Sequence, residues 1–445
     1  MRNFIATLLL CISFSPSHAK SFSYEELVLS AQKSPAVEVF ERMSRYAREL
    51  KLSAEGALYP SIDLSYSGAW LDEKPTMTYH MPPPIGSASA PMATTRSFES
   101  QLSLRYRLFS GFAISSLIEK REWQRRVAEL KVIDKKRSIV MRLSSLYAQA
   151  RMLESLLHAR TDALAAVEAA LKKARALYDN GMLPPSGLYN IEAALYDTKA
   201  AVADTENELR KSLETLSYIS GERVDGTRGG IDLPEPKSAE KIYRYALKRR
   251  ADIASLEATL KVDSADIKLA ESQYFPRIDL EAALKRRGGS PTLEGDGYSN
   301  PNRSYLGFRI DWNLYSGGRT MHMGEAARYR KLASVSALID YRRRVESEIV
   351  KAFGDLETLK KRLESAKMRI RSQKEYYELT RGRFDNGLGS ADELSRAIAD
   401  LAQARAAKAS IEASIEMQRA LVWLMGGLKS FERALTKKKR KRGKR

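Results

Sequence analysis

An internal repeat is the feature that most constrains the fold of this 445-residue chain. Three short motifs occur twice in the same order: YPSIDL at 59–64 and FPRIDL at 275–280, LFSG at 108–111 and LYSG at 314–317, and DNG at 179–181 and 385–387. The first pair is 216 positions apart and the other two are 206 apart, so the halves differ by ten residues between the first and second motifs. Such a repeat indicates two copies of one structural unit. Insertions concentrate in exposed loops, so we expect a loop in that interval.

Apolar and polar residues alternate with a period of two on both sides of this loop in each half. The pattern predicts two β-hairpins, at about residues 61–108 and 277–314. Each strand is about ten residues long with one apolar face, which matches a tilted strand that crosses a bilayer. The residues predicted to face lipid are Ile62, Leu64, Tyr66, Leu102, Leu104, Tyr106, Ile278, Leu280, Phe308, Ile310 and Trp312.

Two ordinary hairpins on a soluble core would show the same alternation in any single segment. Four such segments together, with ionised residues on the polar faces, favour four transmembrane strands per chain. Four strands cannot close a barrel, and each unpaired backbone group in hydrocarbon costs several kcal/mol. We therefore expect copies of the chain to assemble until roughly eight or more strands are present.

Residues 1–19 have the features of a secretory signal peptide. Arg2 precedes an apolar run, and Ser17-His18-Ala19 supplies small residues at the spacing that signal peptidase requires. The lipoprotein alternative would acylate Cys11, but Leu10 stands where a small residue is expected. Cys11 is the only cysteine, so the mature chain would contain neither disulfides nor a thiol catalyst. No later apolar stretch approaches the roughly 20 residues of a membrane helix, so entry into a membrane would require strands.

Long helices with a heptad seam follow each hairpin. Residues 111–178 contain no proline and no internal glycine, and apolar residues recur there at alternating steps of four and three. This 3.5-residue period specifies a left-handed coiled coil with a neighbouring helix. The partner is expected directly after the Asp-Asn-Gly turn, at 187–220. The second half repeats the pattern at 318–384 and 390–425, so each half predicts a long antiparallel helical hairpin.

The repeats also define the expected domain boundaries. The first repeat covers 20–220, a Gly- and Pro-containing linker covers 221–238, the second repeat covers 239–428, and a basic tail covers 429–445. Arg2 and the eight cations of 437–445 account for nine of the formal net charge of +20, so the body is only moderately basic at +11. In a cytosolic protein such a tail would indicate nucleic-acid binding. Behind a signal peptide we expect a disordered periplasmic extension that touches anionic envelope polymers, and no nucleic acid.

The sequence lacks the parts of an enzyme. The mature chain has three histidines, His80, His158 and His322, far apart and without neighbouring metal-type ligands. Ser-Gly pairs lack the flanking glycine of a nucleophile elbow, and no phosphate-binding loop occurs. We expect a non-enzymatic protein with no cofactor and no metal site.

The order of these features resembles the TolC-like outer-membrane efflux proteins, also called outer-membrane factors. The resemblance rests on the signal peptide, the two repeats, the proline that opens each hairpin, the Leu-aromatic-Ser-Gly motif that closes it and the Asp-Asn-Gly at each helical tip. It implies a mixed fold, a homotrimer whose four strands per protomer form one 12-stranded membrane β-barrel continued by a long α-helical coiled-coil barrel. It also implies a periplasmic adaptor (membrane fusion) protein and an inner-membrane transporter as partners, with the helical part in the periplasm and the strands in outer-membrane lipid.

Two groups of site residues follow from this resemblance. Acidic residues just after the second tip narrow the pore in the family, and Asp392 matches the first of them, whereas Ser395 replaces the usual second acid. A simpler reading is that Ser390 and Glu393 form a capping box and that Asp392 favours the helix dipole. The adaptor is expected to dock at the tips, through Asp179, Asn180, Gly181, Asp385, Asn386, Gly387 and Ser390. Turn chemistry alone also accounts for Asn-Gly there.

The expected function is a passive exit duct in the outer membrane, as one component of a tripartite efflux or type I secretion system. The rival hypothesis is a periplasmic or peripheral coiled-coil scaffold of the envelope that has no pore. A barrel would stay with the outer membrane after detergent-free washing, whereas a scaffold would be extracted. Nothing in the sequence selects among drug, metal and protein as the exported substrate.

Overall fold

The structure, a computed structural model, describes residues 21–92, 94–294 and 302–442. The predicted signal peptide at 1–19 lies outside these residues. The chain divides into two compact units. The helical unit comprises the described parts of Met1–Glu41, Lys131–Ala254 and Asp340–Arg445, and the sheet unit comprises those of Arg42–Leu130 and Ser255–Ile339. Among the described residues, no helix combines the length and apolarity needed to cross a membrane.

The described part of the chain contains nine α-helices, one short 3-10 helix (Ser272–Tyr274) and eight strands. The helices are α1 (Tyr24–Ala31), α2 (Pro35–Gly56), α3 (Ala113–Asp179), α4 (Pro185–Ser220), α5 (Ala239–Arg249), α6 (Ala251–Glu271), α7 (Arg319–Asp385), α8 (Ala391–Met425) and α9 (Leu428–Arg442). The strands are β1 (Ser21–Ser23), β2 (Ser61–Trp70), β3 (Thr76–His80), β4 (Ser87–Pro91), β5 (Arg96–Phe109), β6 (Gly226–Arg228), β7 (Arg277–Gly288) and β8 (Asn302–Asp311). The four longest helices begin and end within two residues of the bounds that the heptad pattern indicates.

A four-stranded antiparallel sheet forms the centre of the sheet unit, in the order β2-β5-β7-β8. Its strands lie where the alternation places them, with two differences. A register shift between Arg107 and Phe109 leaves Leu108 without a partner in β7, and β8 ends at Asp311, before the predicted hairpin end at 314. The expected loop of the first repeat is not wholly irregular, since β3 and β4 pair as an antiparallel hairpin within it.

Heptad positions of the long helices fill the core of the helical unit. One cluster joins α1, α3, α4, α8 and α9 around Tyr147, Leu216 and Phe431, all of which are fully buried. A second cluster surrounds Phe384 at the two helical tips. The long helices form because their segments contain no proline after the first residue and carry an apolar stripe at the coiled-coil period, and burial of that stripe supplies most of the stabilisation.

The segment 221–238 packs as part of the helical core, although the sequence analysis expects only a linker there. Strand β6 pairs in parallel with β1, and Ile231 and Leu233 are buried. Two glutamates hold its backbone. Glu154 on α3 accepts the Thr227 N–H at 2.8 Å, and Glu416 on α8 accepts the Ile231 N–H at 2.9 Å.

The tail is also more ordered than predicted. Helix α9 extends to Arg442, so the prediction of a disordered extension at 437–445 is wrong for residues 437–442. A run of cations disfavours a helix through like-charge repulsion, so the local composition by itself indicates disorder. Apolar residues before the run attach the helix to the core, with Phe431 fully buried.

Candidate functional sites: the helical tips and the sheet faces

The first helical tip is a glycine-terminated turn between α3 and α4. The Met182 N–H donates to the Leu177 carbonyl at 2.8 Å and the Gly181 N–H to the Tyr178 carbonyl at 2.9 Å, which is the Schellman pattern. Gly181 has φ 69°, a left-handed conformation that disfavours side chains. Asn180 closes the turn, because its side-chain amide donates to the Ala176 carbonyl at 2.6 Å.

The second tip, between α7 and α8, repeats this geometry. The Leu388 N–H donates to the Arg383 carbonyl at 2.8 Å, and Gly387 has φ 72°. The Asn386 side-chain amide donates to the Gly382 carbonyl at 2.8 Å. Turn formation therefore accounts for the Asn-Gly pairs of both tips, whether or not a partner binds there.

Both tips share one hydrophobic cluster, in which Phe384, Ile191 and Leu394 are buried together. The apolar residue that follows each turn glycine is not part of that core. Met182 is 60% exposed and Leu388 is 75% exposed. In a Schellman motif this position often packs on the preceding helix, so its exposure in both repeats is unusual. The predicted tip sites do not include these two residues, although Gly-Met and Gly-Leu at the same place in each repeat are a signal for them in the sequence.

Ser390 caps α8, but only half of the predicted capping box forms. Its hydroxyl oxygen accepts the Glu393 N–H at 3.1 Å. The Glu393 carboxylate lies 3.8 Å from Arg383, and the reciprocal bond to the Ser390 N–H is not formed among the described residues. Ser390 is thus a helix cap, and Glu393 is available for a salt bridge across the tip.

The acidic residues at the second tip are paired with arginines. Asp392 lies 2.7 Å from Arg396 one turn later, and its side chain is half-exposed. Asp385 lies 3.7 Å from Arg381. The structure therefore places Asp392 on the exposed side of α8 as one member of a salt bridge, not as an isolated acid. Exposed pairs of this kind contribute little stability, so the pairing matters mainly for local charge.

Alanines near the tips line a shallow groove in the helical unit. Its volume is about 280 Å³, and its lining residues include Ala159, Ala163, Ala165, Ala166, Ala402 and Tyr377. Asp162 on α3 and Arg405 on α8 form a salt bridge of 3.0 Å at this groove. The small side chains expose helix surface here, so a further helix could approach closely.

In the sheet unit, strand register places the predicted lipid-facing residues on one face. Directly paired residues share a face, and the apolar pairs include Ile62 with Leu104, Leu64 with Leu102, Tyr106 with Leu280, Leu280 with Phe308, and Ile278 with Ile310. Leu64 and Phe308 are strongly exposed. Trp312 lies one residue beyond β8, where its indole N–H donates to the Tyr274 carbonyl at 3.0 Å.

The opposite sheet face carries salt bridges between neighbouring strands. Arg107 lies 2.8 Å from Asp279, and Arg287 lies 2.6 Å from Glu99. Arg105 faces Glu281 at 3.8 Å. One face of the sheet is thus apolar and the other is charged, as expected for a sheet between lipid and water.

A buried ion cluster in the helical unit was not predicted from the sequence. Asp252, in the first turn of α6, accepts hydrogen bonds from Arg250 at 2.6 Å, Arg137 at 2.8 Å and the Tyr341 hydroxyl at 2.7 Å. Burial by itself raises the pKa of Asp252, but the hydrogen bond from Arg250 and the charges of Arg137 and Arg250 lower it to about 2. The cluster joins α3, α6 and α7, so its role is to hold distant segments together.

No group of three or more His, Cys, Asp or Glu side chains within the described ranges is arranged to hold a metal ion.

The family profile described as outer membrane efflux protein matches residues 29–222 and 242–427, which together make up most of the chain. The chain belongs to the outer membrane efflux protein family. As a member of this family, the protein lies in the outer membrane, and part of it extends into the periplasm.

Relatives and solved structures agree with this assignment. The chain is 27% identical over 184 residues to the pyoverdine export outer membrane protein OpmQ of Pseudomonas aeruginosa, a match that covers 40% of this chain and 36% of that relative. The chain thus spans about a third of the length of that curated relative. The channel protein CusC superimposes with TM-score 0.76 at 15% identity over 93% of this chain and 95% of that one. VceC of Vibrio cholerae superimposes with TM-score 0.74 at 16% identity, over 91% of this chain and 96% of that one. These likenesses establish a shared fold.

Proposed function

We propose that this outer membrane efflux protein is a passive exit duct, in which three copies form one channel across the outer membrane and into the periplasm. Each copy would contribute β2, β5, β7 and β8 to a 12-stranded barrel, and the long helices would form its periplasmic continuation. The duct performs no chemistry of its own. It would serve a tripartite efflux or type I secretion system, together with an adaptor and an inner-membrane transporter.

The two-faced sheet with open edges is the observation that carries this proposal. All four strands present apolar side chains on one face and charged side chains on the other. Within the described part of the chain, β2 and β8 each pair on one side only. An open edge in hydrocarbon leaves backbone groups unpaired at several kcal/mol each, and pairing with neighbouring subunits removes this cost.

The helical tips are the proposed contact with the adaptor. Asp179, Asn180, Gly181, Asp385, Asn386, Gly387 and Ser390 build the two turns. The exposed Met182 and Leu388 supply apolar area beside them, and the alanine-lined groove offers room for a helix. Asp392 is the proposed constriction residue, with Arg396 beside it reducing its effect on ion selectivity.

Spin labels on both sheet faces test the membrane part of the proposal. Labels at Ile62, Leu104, Leu280 and Phe308 should be accessible to oxygen dissolved in lipid. Matched labels at Asp63 and Ser103, on the opposite face of the same strands, should be accessible to a water-soluble nickel complex. The purified protein should be trimeric and should conduct ions in a planar bilayer.

If both sets of labels are accessible to water, or if the purified protein is a stable monomer, the proposed barrel is wrong. Extraction of the protein by detergent-free washing of membranes would instead support the envelope scaffold without a pore.

Photo-crosslinkers at Met182 and Leu388 test the docking proposal and can identify the partner. We expect both to capture the same periplasmic protein in intact cells. A crosslinker at Tyr218 on α4, which is 84% exposed but lies away from the tip cluster, is the control. Equal capture from all three positions would argue against a docking site at the tips. Identification of the inner-membrane component in the captured complex would indicate the class of exported substrate.

A further inference from the structure

The apolar face of the four-stranded sheet becomes polar near the end of the sheet that carries the long connections. Most of this face holds Leu, Ile, Phe and Tyr side chains. One row that crosses all four strands is different, and it consists of Tyr66, Ser100, Arg286 and Asn302 on β2, β5, β7 and β8. This row therefore marks the boundary of the apolar band.

A shallow hollow lies at this boundary. Its volume is about 380 Å³, and its lining residues on the apolar face are Ser100, Leu102, Leu284, Arg286, Asn302 and Ser304. Leu102 and Leu284 are exposed, so an acyl chain can lie against them. The guanidinium, amide and hydroxyl groups beside them are hydrogen-bond donors that suit phosphate oxygens. The hollow thus combines an apolar surface with a cluster of donors.

Arg286 has no carboxylate partner on its face, unlike the cations of the opposite face. There Arg105, Arg107 and Arg287 each form a salt bridge with an acid of a neighbouring strand. All five acidic residues of the four strands lie on that opposite face, namely Asp63, Glu99, Asp279, Glu281 and Asp311. Within the described ranges, the Arg286 side chain forms neither an ion pair nor a hydrogen bond. Its charge is therefore available to an external anion.

Assembly of several copies would not supply the missing counter-charge. In the proposed barrel, the strand next to β8 is β2 of the adjacent copy. The residues of β2 on the apolar face are Ile62, Leu64, Tyr66, Gly68 and Trp70, and none of them is acidic. A guanidinium group pairs with phosphate through two parallel hydrogen bonds, so a phosphorylated headgroup is the natural complement of this site.

The position of the row selects one leaflet of the membrane. The sheet joins the long helices at its other end, where β5 is followed by α3 and β8 by α7. The long connections follow β2 and β7, and membrane barrels carry their longer loops on the extracellular side. Tyr66, Phe98 and Trp70 form an aromatic cluster there, as at a membrane interface, with Trp70 edge-on to Phe98 at 5.3 Å between centroids. In the proposed duct the row therefore lies at the outer leaflet.

We propose that Arg286, with Ser100 and Asn302, binds a phosphate group of lipopolysaccharide, the phosphorylated glycolipid of the outer leaflet. Its acyl chains would lie on Leu102 and Leu284. The inference rests on the proposed barrel, because it requires this sheet face to meet lipid. The apolar surface of the hollow favours a lipid over a soluble phosphate. At the other end of this face, towards the inner leaflet, the strands carry no cation, which favours the outer-leaflet lipid over a phospholipid.

Binding of purified lipopolysaccharide to the delipidated full-length trimer in detergent tests this inference, with the bound lipid counted by native mass spectrometry. Arg286→Gln removes the charge and Arg286→Lys retains it. Arg309→Gln is the matched control, because it removes one cation from the opposite face of the neighbouring strand. We expect Arg286→Gln to bind roughly tenfold more weakly, a loss of about 1.4 kcal/mol. Arg309→Gln should bind as the wild type does, and Arg286→Lys should lie between them.

Three further probes separate the possible sources of phosphate. Dephosphorylated lipopolysaccharide should bind equally to the wild type and to Arg286→Gln. Inorganic phosphate in excess should not displace the glycolipid, and binding of phosphatidylglycerol should not depend on Arg286. Displacement by inorganic phosphate would indicate a soluble ligand, and Arg286-dependent binding of phosphatidylglycerol would indicate a general phospholipid site. Either result would overturn the assignment, and equal binding of intact lipopolysaccharide by the wild type and Arg286→Gln would overturn the site itself.

Conductance measurements separate failure of the lipid site from failure of the duct. The Arg286 side chain is exposed, so Arg286→Gln should remain trimeric and should conduct ions as the wild type does. A wild type that is monomeric or does not conduct would contradict the duct. A conducting trimer whose lipopolysaccharide binding is independent of Arg286 would contradict only the lipid site.

Discussion

The helical tips of the two repeats have the same backbone geometry but carry different charges after the turn. Both tips close through a Schellman turn with an asparagine side chain bonded one turn back. After the turn, Ser186 and Asn190 of the first repeat correspond to Asp392 and Arg396 of the second. The turn is thus common to both repeats because it is needed to reverse the chain. The salt bridge is specific to the second repeat, where Asp392 is the proposed constriction residue.

A second difference lies at the break between the two short helices of each repeat. In the first repeat the break is at Ser34, which is buried and whose hydroxyl has no hydrogen-bond partner among the described residues. The equivalent position, 216 residues later, is Arg250, which together with Asp252 forms the buried ion cluster. The second repeat therefore uses a charged network where the first uses plain packing.

Loss of the Asp252 charge should have the largest effect on stability, and it should separate the two repeats most clearly. Asp252→Asn removes the negative charge that two buried arginines share, and such losses cost about 3 to 5 kcal/mol. Ser34→Ala at the equivalent position removes an unpaired hydroxyl and should change stability by about 0.5 kcal/mol or less. Urea unfolding of the detergent-solubilised protein, followed by helical circular dichroism, measures both. Equal effects of the two substitutions would mean that the cluster does not distinguish the repeats.

The same cluster predicts a pH dependence. The folded-state pKa of Asp252 is about 2, below the unfolded value of about 3.9, so the carboxylate stabilises the fold above the unfolded pKa. This contribution, about 2 to 3 kcal/mol, should be lost as the pH falls from about 5 towards 2. The difference in stability between wild type and Asp252→Asn should narrow over that range. A difference that stays constant with pH would show that Asp252 is not the responsible group.

Substitution of the turn glycines should affect both repeats alike. Gly181→Ala and Gly387→Ala place a side chain in the left-handed region and should each cost about 1 to 2 kcal/mol. Gly382→Ala within α7 is the control, because a Cβ there meets nothing within 4 Å. It should stabilise by about 0.5 to 1 kcal/mol, since glycine is unfavourable inside a helix. Thermal unfolding of the three variants tests the sign as well as the size.

The residues that precede α8 and α4 should differ slightly in how much they stabilise the start of their helices. Ser390→Ala removes the side-chain cap of α8 and should cost about 1 kcal/mol. Pro184 occupies the equivalent position before α4 and makes no side-chain cap, so Pro184→Ala should cost roughly 0.5 kcal/mol or less. Hydrogen exchange in the first turns of α8 and α4 compares the two directly, and similar exchange in both variants would contradict a specific cap.

The smallest expected effect concerns ion selectivity. If Asp392 lines the constriction, Arg396→Ala should raise the cation-to-anion permeability ratio roughly two- to fivefold, and Asp392→Ala should lower it. Ser186→Ala and Asn190→Ala at the first tip should leave it unchanged. Reversal potentials of single channels in a salt gradient measure the ratio. If the permeability ratio is unchanged in both Arg396→Ala and Asp392→Ala, Asp392 does not line the constriction.

Some of these features could be read from the sequence, because they depend on neighbours along the chain. A period of two placed Ile62, Leu64 and Leu280 on one strand face, and the register shows them on that face. Asn-Gly placed both turns, because the left-handed conformation and the amide bond are local. The heptad period likewise placed α3 and α7, since it records which side of a helix is apolar.

Only the tertiary structure showed features that join residues far apart in sequence. Arg137, Asp252 and Tyr341 meet through folding and share no local pattern, so their cluster was missed. Phe98 lies opposite Gly68, and its ring centroid is 5.3 Å from that of Trp70, so Phe98 is buried on a face where most residues are exposed or half-buried. Helix α9 forms on a core made by other segments, whereas its own composition disfavours a helix. Sequence periodicity determined the elements, and long-range packing decided which side chains became partners, because only folding brings separate elements within contact distance.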